Sequence, residues 1–263
     1  MTIAINTPHT TPAESPSRTA SAGLSHAIRA EWAKLLSLRS TRWSLALTVV
    51  GALAITVLTC LHSRSRPTFA FQGFDPTNHA LSGLFLDALI VGVLGVLAVT
   101  GEYSTGTIRS SLSAVPRRGV LLGAKVIVVG ALTLVVGEII SFACFFAGQA
   151  ALSGAAPTAH LGQPGVLRAV ALSGAFLALL ALLGLGLGTA VRHTAGGIAA
   201  YAGVVMLSTV LVQQFDQGLV KYTPLDIFTN SVTSVLPNGD ALSATIGFVL
   251  MAAYAAAALC LGA

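Results

Sequence analysis

The chain has 263 residues, is 54% hydrophobic and only 9% charged, and has a mean hydropathy of +0.83. Soluble domains carry about 25% charged residues, so this composition excludes a water-facing globular fold and makes lipid the main solvent. The net charge of +5 is a modest basic excess of the kind found in cytoplasmic loops of membrane proteins, and it argues little for a nucleic-acid partner.

Residues 1–24 are rich in Thr, Ser, Pro and Ala. They lack an apolar core and read as a disordered cytoplasmic tail, not as a secretory signal, because no apolar h-region follows the start. The remainder, 25–263, reads as one six-span membrane domain. Its first element is "SHAIRAEWAKLLSLRSTRWSL". Leu24, Ile28, Trp32, Leu35 and Leu38 recur at three- and four-residue steps, while Arg29, Lys34 and Arg39 lie mainly off that stripe. This predicts a basic amphipathic elbow helix over about 25–41, lying on the membrane surface. Lys34, Arg39 and Arg42 supply its charge, and Trp32 and Trp43 sit in the interfacial aromatic belt. The alternative is that it extends the first span inward.

Apolar runs near the roughly 20 residues that cross a bilayer occur at 43–61, 81–100, 121–147, 167–191, 195–212 and 241–261. Continuous runs of this length exclude the alternating strands of a barrel, so the fold class is all-α integral membrane with six transmembrane helices. With the N-terminus inside, ten of the 14 lysines and arginines fall on the inner side and four (Arg64, Arg66, Arg168 and Lys221) on the outer side. Both termini are therefore expected in the cytoplasm.

Of the outer connections, 62–80 carries Phe69, Phe71 and Phe74, 151–165 is small, and 213–240 is the largest. In the last, Thr223 reads as an N-cap with Pro224 at the first helical position. Leu225, Phe228, Val232 and Val235 share one face, and Pro237–Gly239 ends the element. On the inner side, the tight turn at 192–194 makes the fourth and fifth spans an antiparallel hairpin.

Asp87 and Glu138 are the carboxylates deep inside spans, and ionisable groups at such depth are candidates for a translocation pathway. Both fall in the outer half, where they are expected to line one cavity open to the outside, with Arg168 as the nearest counter-charge. The competing account is helix packing by protonated or hydrogen-bonded carboxyls. "GLGLG" (Gly184, Gly186, Gly188) has no preceding strand and no G-K-[ST] ending, so it reads as a helix-packing stripe and not a phosphate loop. The small residues of the fifth span read likewise, and that span is assigned to a protomer contact. Cys60, Cys144 and Cys260 lie in apolar runs without paired spacing. The six histidines are scattered, which points to no metal site, and no Walker motif or paired catalytic constellation is present.

"GEYSTGTIRSSLSAVPRRG", residues 101–119, is the polar exception in mid-chain. Gly101 and Gly106 allow sharp turns. Ile108, Leu112 and Val115 form a short apolar stripe, Arg109 and Ser110 point elsewhere, and Pro116 stops the helix. The stretch predicts a short surface helix with its polar side toward cytoplasm. The plainer account is a loop whose charges only set topology.

"EWAKLLSLRSTRW" before the first span and "GEYSTGTIRSSLSAVPRRGVLLGAKV" after the second resemble the actinobacterial branch of the ABC-2 type transporter permeases. Those proteins carry E-W-x-K-L-x-S-x-R-S-T-x-W and G/A-E-Y-x-T-G-T-I-R-x-x-L-x-x-x-P-R-R. This chain departs from many relatives in ending on "AALCLGA" without a basic tail. The resemblance implies a plasma-membrane permease subunit of a bacterial exporter, without enzymatic activity or a bound cofactor of its own. It implies that ATP and Mg are held by a separate nucleotide-binding ATPase subunit, and that the chain pairs as a homodimer or with a second permease. It also implies a cytoplasmic coupling helix, with Glu102, Tyr103, Thr105, Gly106, Thr107 and Arg109 at the ATPase-coupling site. Glu102 and Arg109 would meet complementary charges on the ATPase, and Thr105 and Thr107 would cap or contact its surface. Two alternatives from other classes are an ATP-independent secondary transporter using Asp87 and Glu138 as a proton relay, and a non-transporting membrane anchor or signalling subunit.

Overall fold

The computed structural model describes residues 23–37, 39–64, 74–114, 117–234 and 241–263, with no strand among them. In chain order the helices are α1 (Leu24–Ser37), α2 (Arg39–Arg64), α3 (Pro76–Ala80), α4 (Leu84–Thr105), α5 (Ile108–Ala114), α6 (Arg118–Leu152), α7 (Val166–Val191) and α8 (Thr194–Ala202). A π-helical turn, Gly203–Leu207, carries α8 into α9 (Ser208–Phe215); a 3-10 turn at Gln217–Tyr222, α10 (Pro224–Ser231) and α11 (Ala244–Gly262) complete the order. Six helical stretches are long and apolar enough to cross a membrane: Thr41–Arg64, Leu84–Thr105, Arg118–Leu152, Val166–Val191, Thr194–Phe215 and Ala244–Gly262. The chain is an all-α integral membrane protein.

The boundaries differ from the sequence reading in instructive places. The elbow helix ends at Ser37, so Arg39, Arg42 and Trp43 belong to the first turns of α2 and not to the surface helix. No glycine or proline separates Arg39 from the apolar run, and the span helix extends backward to include it. On α1 the face against the protein is Ala27, Glu31 and Leu35, whereas Leu24, Trp32 and Leu36 are exposed. The apolar stripe expected there is thus split, with Trp32 turned away from the bundle and Lys34 turned toward it. Phe69 and Phe71, Val115, Pro116, Val235 and Pro237–Gly239 lie outside the described residues, as do residues 1–22.

The bundle is built around α7, which packs on α4, α6 and α11. Small residues make this possible, because helices in lipid gain little from apolar burial and associate by close packing. A Cβ added at Gly95 would stand 2.0 Å from the Ala181 carbonyl oxygen, and one at Gly184 would stand 2.2 Å from that of Gly92. Gly186 meets Ala258 of α11, and Gly188 meets Val96 and Val99 of α4. The glycine run is therefore a packing stripe. Tyr201 fills the space over Gly92, and its hydroxyl donates to the Ala88 carbonyl at 2.5 Å. The fifth span is the least covered, with Val204, Leu207, Val210 and Leu211 exposed. Its Gly197 packs inside the protomer, against Val96.

At the end of the bundle carrying α3 and α10, backbone and side chains interlock. The Asp75 side chain caps α3 by accepting from the amides of Thr77 at 2.8 Å and Asn78 at 3.3 Å, with Pro76 in the first turn. The same carboxylate accepts from the amide and hydroxyl of Ser234 at 2.8 and 2.9 Å. Gln149 on α6 donates to the Pro76 carbonyl at 3.1 Å and accepts from the Ala159 amide at 2.7 Å. Residues 76–80 had read as loop; the Asp-Pro pair that starts α3 is an N-cap signal. Helix α10 forms where expected, with Pro224 in its first turn, but the Thr223 side chain does not cap it. That hydroxyl instead donates to the Val220 carbonyl and accepts from Thr209. Phe228 meets Phe85 and Phe176 edge-on, with centroids 5.3 and 6.2 Å away. Burial pushes the Asp226 carboxyl above the ordinary carboxylate range, partly offset by a hydrogen bond from Asn230.

Candidate functional site

Helix α4 does not stop where the apolar run stops. It continues through Glu102 and Tyr103 to Thr105, and Gly106 ends it with φ 71° and its amide bonded to the Tyr103 carbonyl at 3.3 Å. A Cβ at Gly106 would meet nothing, so glycine is required there by the left-handed backbone and not by crowding. Helix α5 begins two residues later. The hydroxyls around this knuckle bond locally: Thr105 Oγ1 donates to the Gly101 carbonyl at 2.8 Å and shares a bond with Thr107 Oγ1 at 2.9 Å. Ser110 and Ser113 each donate to the carbonyl three residues back. Such bonds fix the shape of a turn and hold these hydroxyls close to their own backbone. Thr105, Gly106, Thr107 and Arg109 are exposed, and Arg109 has no ion-pair partner among the described residues. Of the apolar stripe expected on α5, Ile108 packs with Ala27, Leu121 and Ala124; Val115 lies outside the described residues.

Glu102 corrects the sequence reading. Its carboxylate faces into the protein, not the solvent, and is 3% exposed. Because α4 stays helical, Glu102 stacks one turn beyond Ala98 on the face that meets α6 and α1. There Lys125 of α6 donates to Glu102 Oε1 at 2.5 Å, to Glu31 Oε2 of α1 at 2.7 Å and weakly to the Ala98 carbonyl at 3.4 Å. Lys34 of α1 donates to the same Glu102 oxygen and stands 3.9 Å from Glu31 Oε1. Two carboxylates and two ammoniums make a neutral cluster that clasps the surface helix to two spans. Glu31 and Lys125 are buried, while the Lys34 side chain is 33% exposed. Glu102 Oε2 is buried with no hydrogen-bond partner.

Beside the clasp lies a cavity of about 190 Å³. Its walls are Val99 and Tyr103 of α4, Ile108 of α5, Leu121 and Leu122 of α6, and Thr189 of α7, closed by the end of α11. Arg118 and Arg192 also line it, both exposed. Lys125 contributes its stem, since its ammonium is committed to the clasp. Arg192 adopts φ 57° in the tight turn between α7 and α8, a left-handed conformation that costs an L-residue about 1–2 kcal/mol.

The structure does not bring Asp87 and Glu138 to one surface. Asp87, in the first turn of α4, is fully buried, and neither of its oxygens has a hydrogen-bond partner. It lies on the side of Cys144 of α6. Glu138, half-buried, lies against α7, where a Cβ added at Gly174 would stand 2.7 Å from its Cδ. Cys144 follows Glu138 by six residues, which is roughly 120° around the helix, so the two carboxyls address different neighbours. An open cavity shared by both is excluded, because Asp87 has no exposed surface. Arg168 turns to the Thr233 carbonyl at 3.5 Å.

Glu31 and Lys125 were missed in the sequence. The available signal was Lys125 itself, the one charged residue between 119 and 137. A charge in an apolar run calls for a partner. No protein-family model matches the chain, and no curated protein matches it.

Proposed function

We propose that the chain is the membrane-spanning permease subunit of an ATP-driven exporter of the ABC-2 type, in a bacterial plasma membrane with both termini in the cytoplasm. The coarser statement, a membrane-embedded helical protein of the kind that serves in transporters, follows from the six spans. The observation that supports the finer one is the knuckle at 101–114. It is exposed and hydroxyl-rich, it carries the unpaired Arg109, and the clasp at Glu102 ties its root to α1 and α6. A force applied to α5 by a separate nucleotide-binding ATPase therefore reaches two spans and the surface helix together. ATP binding draws the ATPase subunits together, and this chain, paired with a second copy or a sister permease, converts that movement into access across the membrane. The chain itself carries no nucleotide chemistry in this reading; ATP and Mg belong to the partner. Thr105, Gly106, Thr107 and Arg109 form the docking face, Tyr103 stands behind it, and Glu102 positions it from within.

Co-purification tests this. A tagged chain solubilised from native membranes is expected to bring down a protein bearing Walker motifs, and Arg109→Glu to abolish that association without altering thermal unfolding. A cysteine introduced at Ser110 is expected to react with a membrane-impermeant maleimide only after the cells are opened. Labelling in intact cells, or the absence of any ATPase, would falsify the assignment.

One observation favours a second reading, an ATP-independent transporter with Asp87 as proton carrier: a fully buried carboxyl without a partner is unusual unless it has a task. That reading requires transport to stop on collapse of the proton gradient alone and to be lost in Asp87→Asn.

A further inference from the structure

We propose that the cavity behind the knuckle binds the phosphate-bearing headgroup of an anionic lipid. Two features of the cavity define the ligand. Arg118 and Arg192, from helices 74 residues apart in sequence, both line it. The carboxylates in ion pairs among the described residues are Glu31 and Glu102, both taken by lysines, so neither arginine has an acidic partner. Two arginines lining one space suit a phosphate, since planar guanidinium forks match its oxygens. Of the remaining wall, Val99, Ile108, Leu121 and Leu122 are apolar, while Tyr103 and Thr189 each bring one hydroxyl and Gly262 and Ala263 close one side. A freely soluble anion would leave those side chains wet, whereas a lipid covers them with its glycerol and first methylenes while its tails run into the bilayer.

The position agrees with this chemistry. Arg118 opens the third candidate span and Arg192 follows the last residue of the fourth, which is where headgroup level is expected for helices that cross a bilayer. In the topology proposed above, on which this step rests, the cavity is a basic pocket between span ends on the cytoplasmic side, where anionic lipid headgroups dock. Helix α6 also starts here without a side-chain cap, and Gly119 of its first turn lines the cavity. Its first amides add to the positive potential set by the arginines.

Because Tyr103 and Ile108 form part of the wall, an occupied site braces the root of the knuckle, and an empty one leaves it a void. The cavity's lining involves no ATPase, and its lipid binding is tested on the isolated chain. Failure of the lipid site therefore leaves the proposed function standing, and failure to find an ATPase leaves the lipid site standing.

The test is native mass spectrometry of the full chain in detergent, with added phosphatidylglycerol or phosphatidylcholine of matched acyl chains. One phosphatidylglycerol is expected to be retained per chain in preference to phosphatidylcholine. The double variant Arg118→Gln/Arg192→Gln is expected to bind it roughly thirtyfold more weakly, the effect of two basic residues near the surface. Arg29→Gln/Arg39→Gln removes the same charge from the same end of the bundle without touching the cavity, and is expected to leave retention unchanged. Equal loss in both double variants, or equal retention of phosphatidylcholine, would overturn the proposal by showing diffuse attraction or plain solvation. Displacement of the lipid by millimolar sodium phosphate or glycerol phosphate would assign the site to a soluble anion instead. If no lipid is retained but the arginine pair is needed for ATPase association, the cavity receives an acidic side chain of that partner and the lipid site is wrong.

Discussion

The two ends of the bundle are held by different physics. At the α5 end, side chains from α1, α4 and α6 meet through two carboxylates and two ammoniums, and an adjoining cavity is lined by two further arginines. At the α10 end, Asp75 and Gln149 bond to backbone groups, and Phe85, Phe176 and Phe228 fill the space between helices. Side chains that satisfy backbone groups fix one geometry, because the backbone has no second arrangement to offer. Ion pairs between side chains on separate helices can trade partners without breaking a helix. The charged end is thus the one suited to receive a signal, and the aromatic end the one suited to hold still.

Substitutions sharpen this contrast. The largest expected effect is Lys125→Met, which leaves two buried carboxylates sharing the single, partly exposed Lys34, at a cost of about 3–5 kcal/mol. Thermal unfolding in detergent measures it, and adding Glu102→Gln is expected to recover part of the loss. Full stability in Lys125→Met alone would mean the clasp holds nothing. At the other end, Phe228→Ala is expected to cost about 3 kcal/mol through lost packing, with no dependence on ionic strength. A salt-sensitive loss there would erase the distinction drawn between the ends. Lys34→Ala, on the half-exposed edge of the clasp, is expected to cost less than about 1 kcal/mol and to lose even that in high salt. The smallest effect concerns Asp226. Its folded-state carboxyl titrates above the ordinary range because of burial. Its contribution to stability is therefore present at acid pH and fades as pH rises through the raised value. Asp226→Asn is expected to flatten the pH profile of stability just above the usual carboxylate range while leaving the acid limb in place.

What could be read in the sequence was what repeats along it. Six apolar runs gave six spans, because crossing lipid needs only length and the absence of charge. The start of α10 at Pro224 was visible because proline at the first position is local chemistry. Contacts between distant positions were not visible. Glu31 and Lys125 are 94 residues apart, and nothing local to either names the other. Glu102 shows the limit best. A polar motif at the end of an apolar run reads as a surface loop, but the helix does not sense the change of solvent and carries the carboxylate on around its inner face. The π-helical turn at Gly203–Leu207 likewise has no composition signal distinct from the apolar helix around it.

Helix α6 has 35 residues, about 52 Å at 1.5 Å per residue, against a hydrocarbon layer of about 30 Å. It is longer than the hydrocarbon layer, and its first turns carry both Lys125 and Arg118 of the cavity. A rod so much longer than its support acts as a lever. With the fulcrum near mid-bilayer, a tilt of about 5° sweeps its tip sideways by roughly 2 Å for an arm of about half the helix, a stroke that an ion pair at the tip registers and a residue near the pivot scarcely feels.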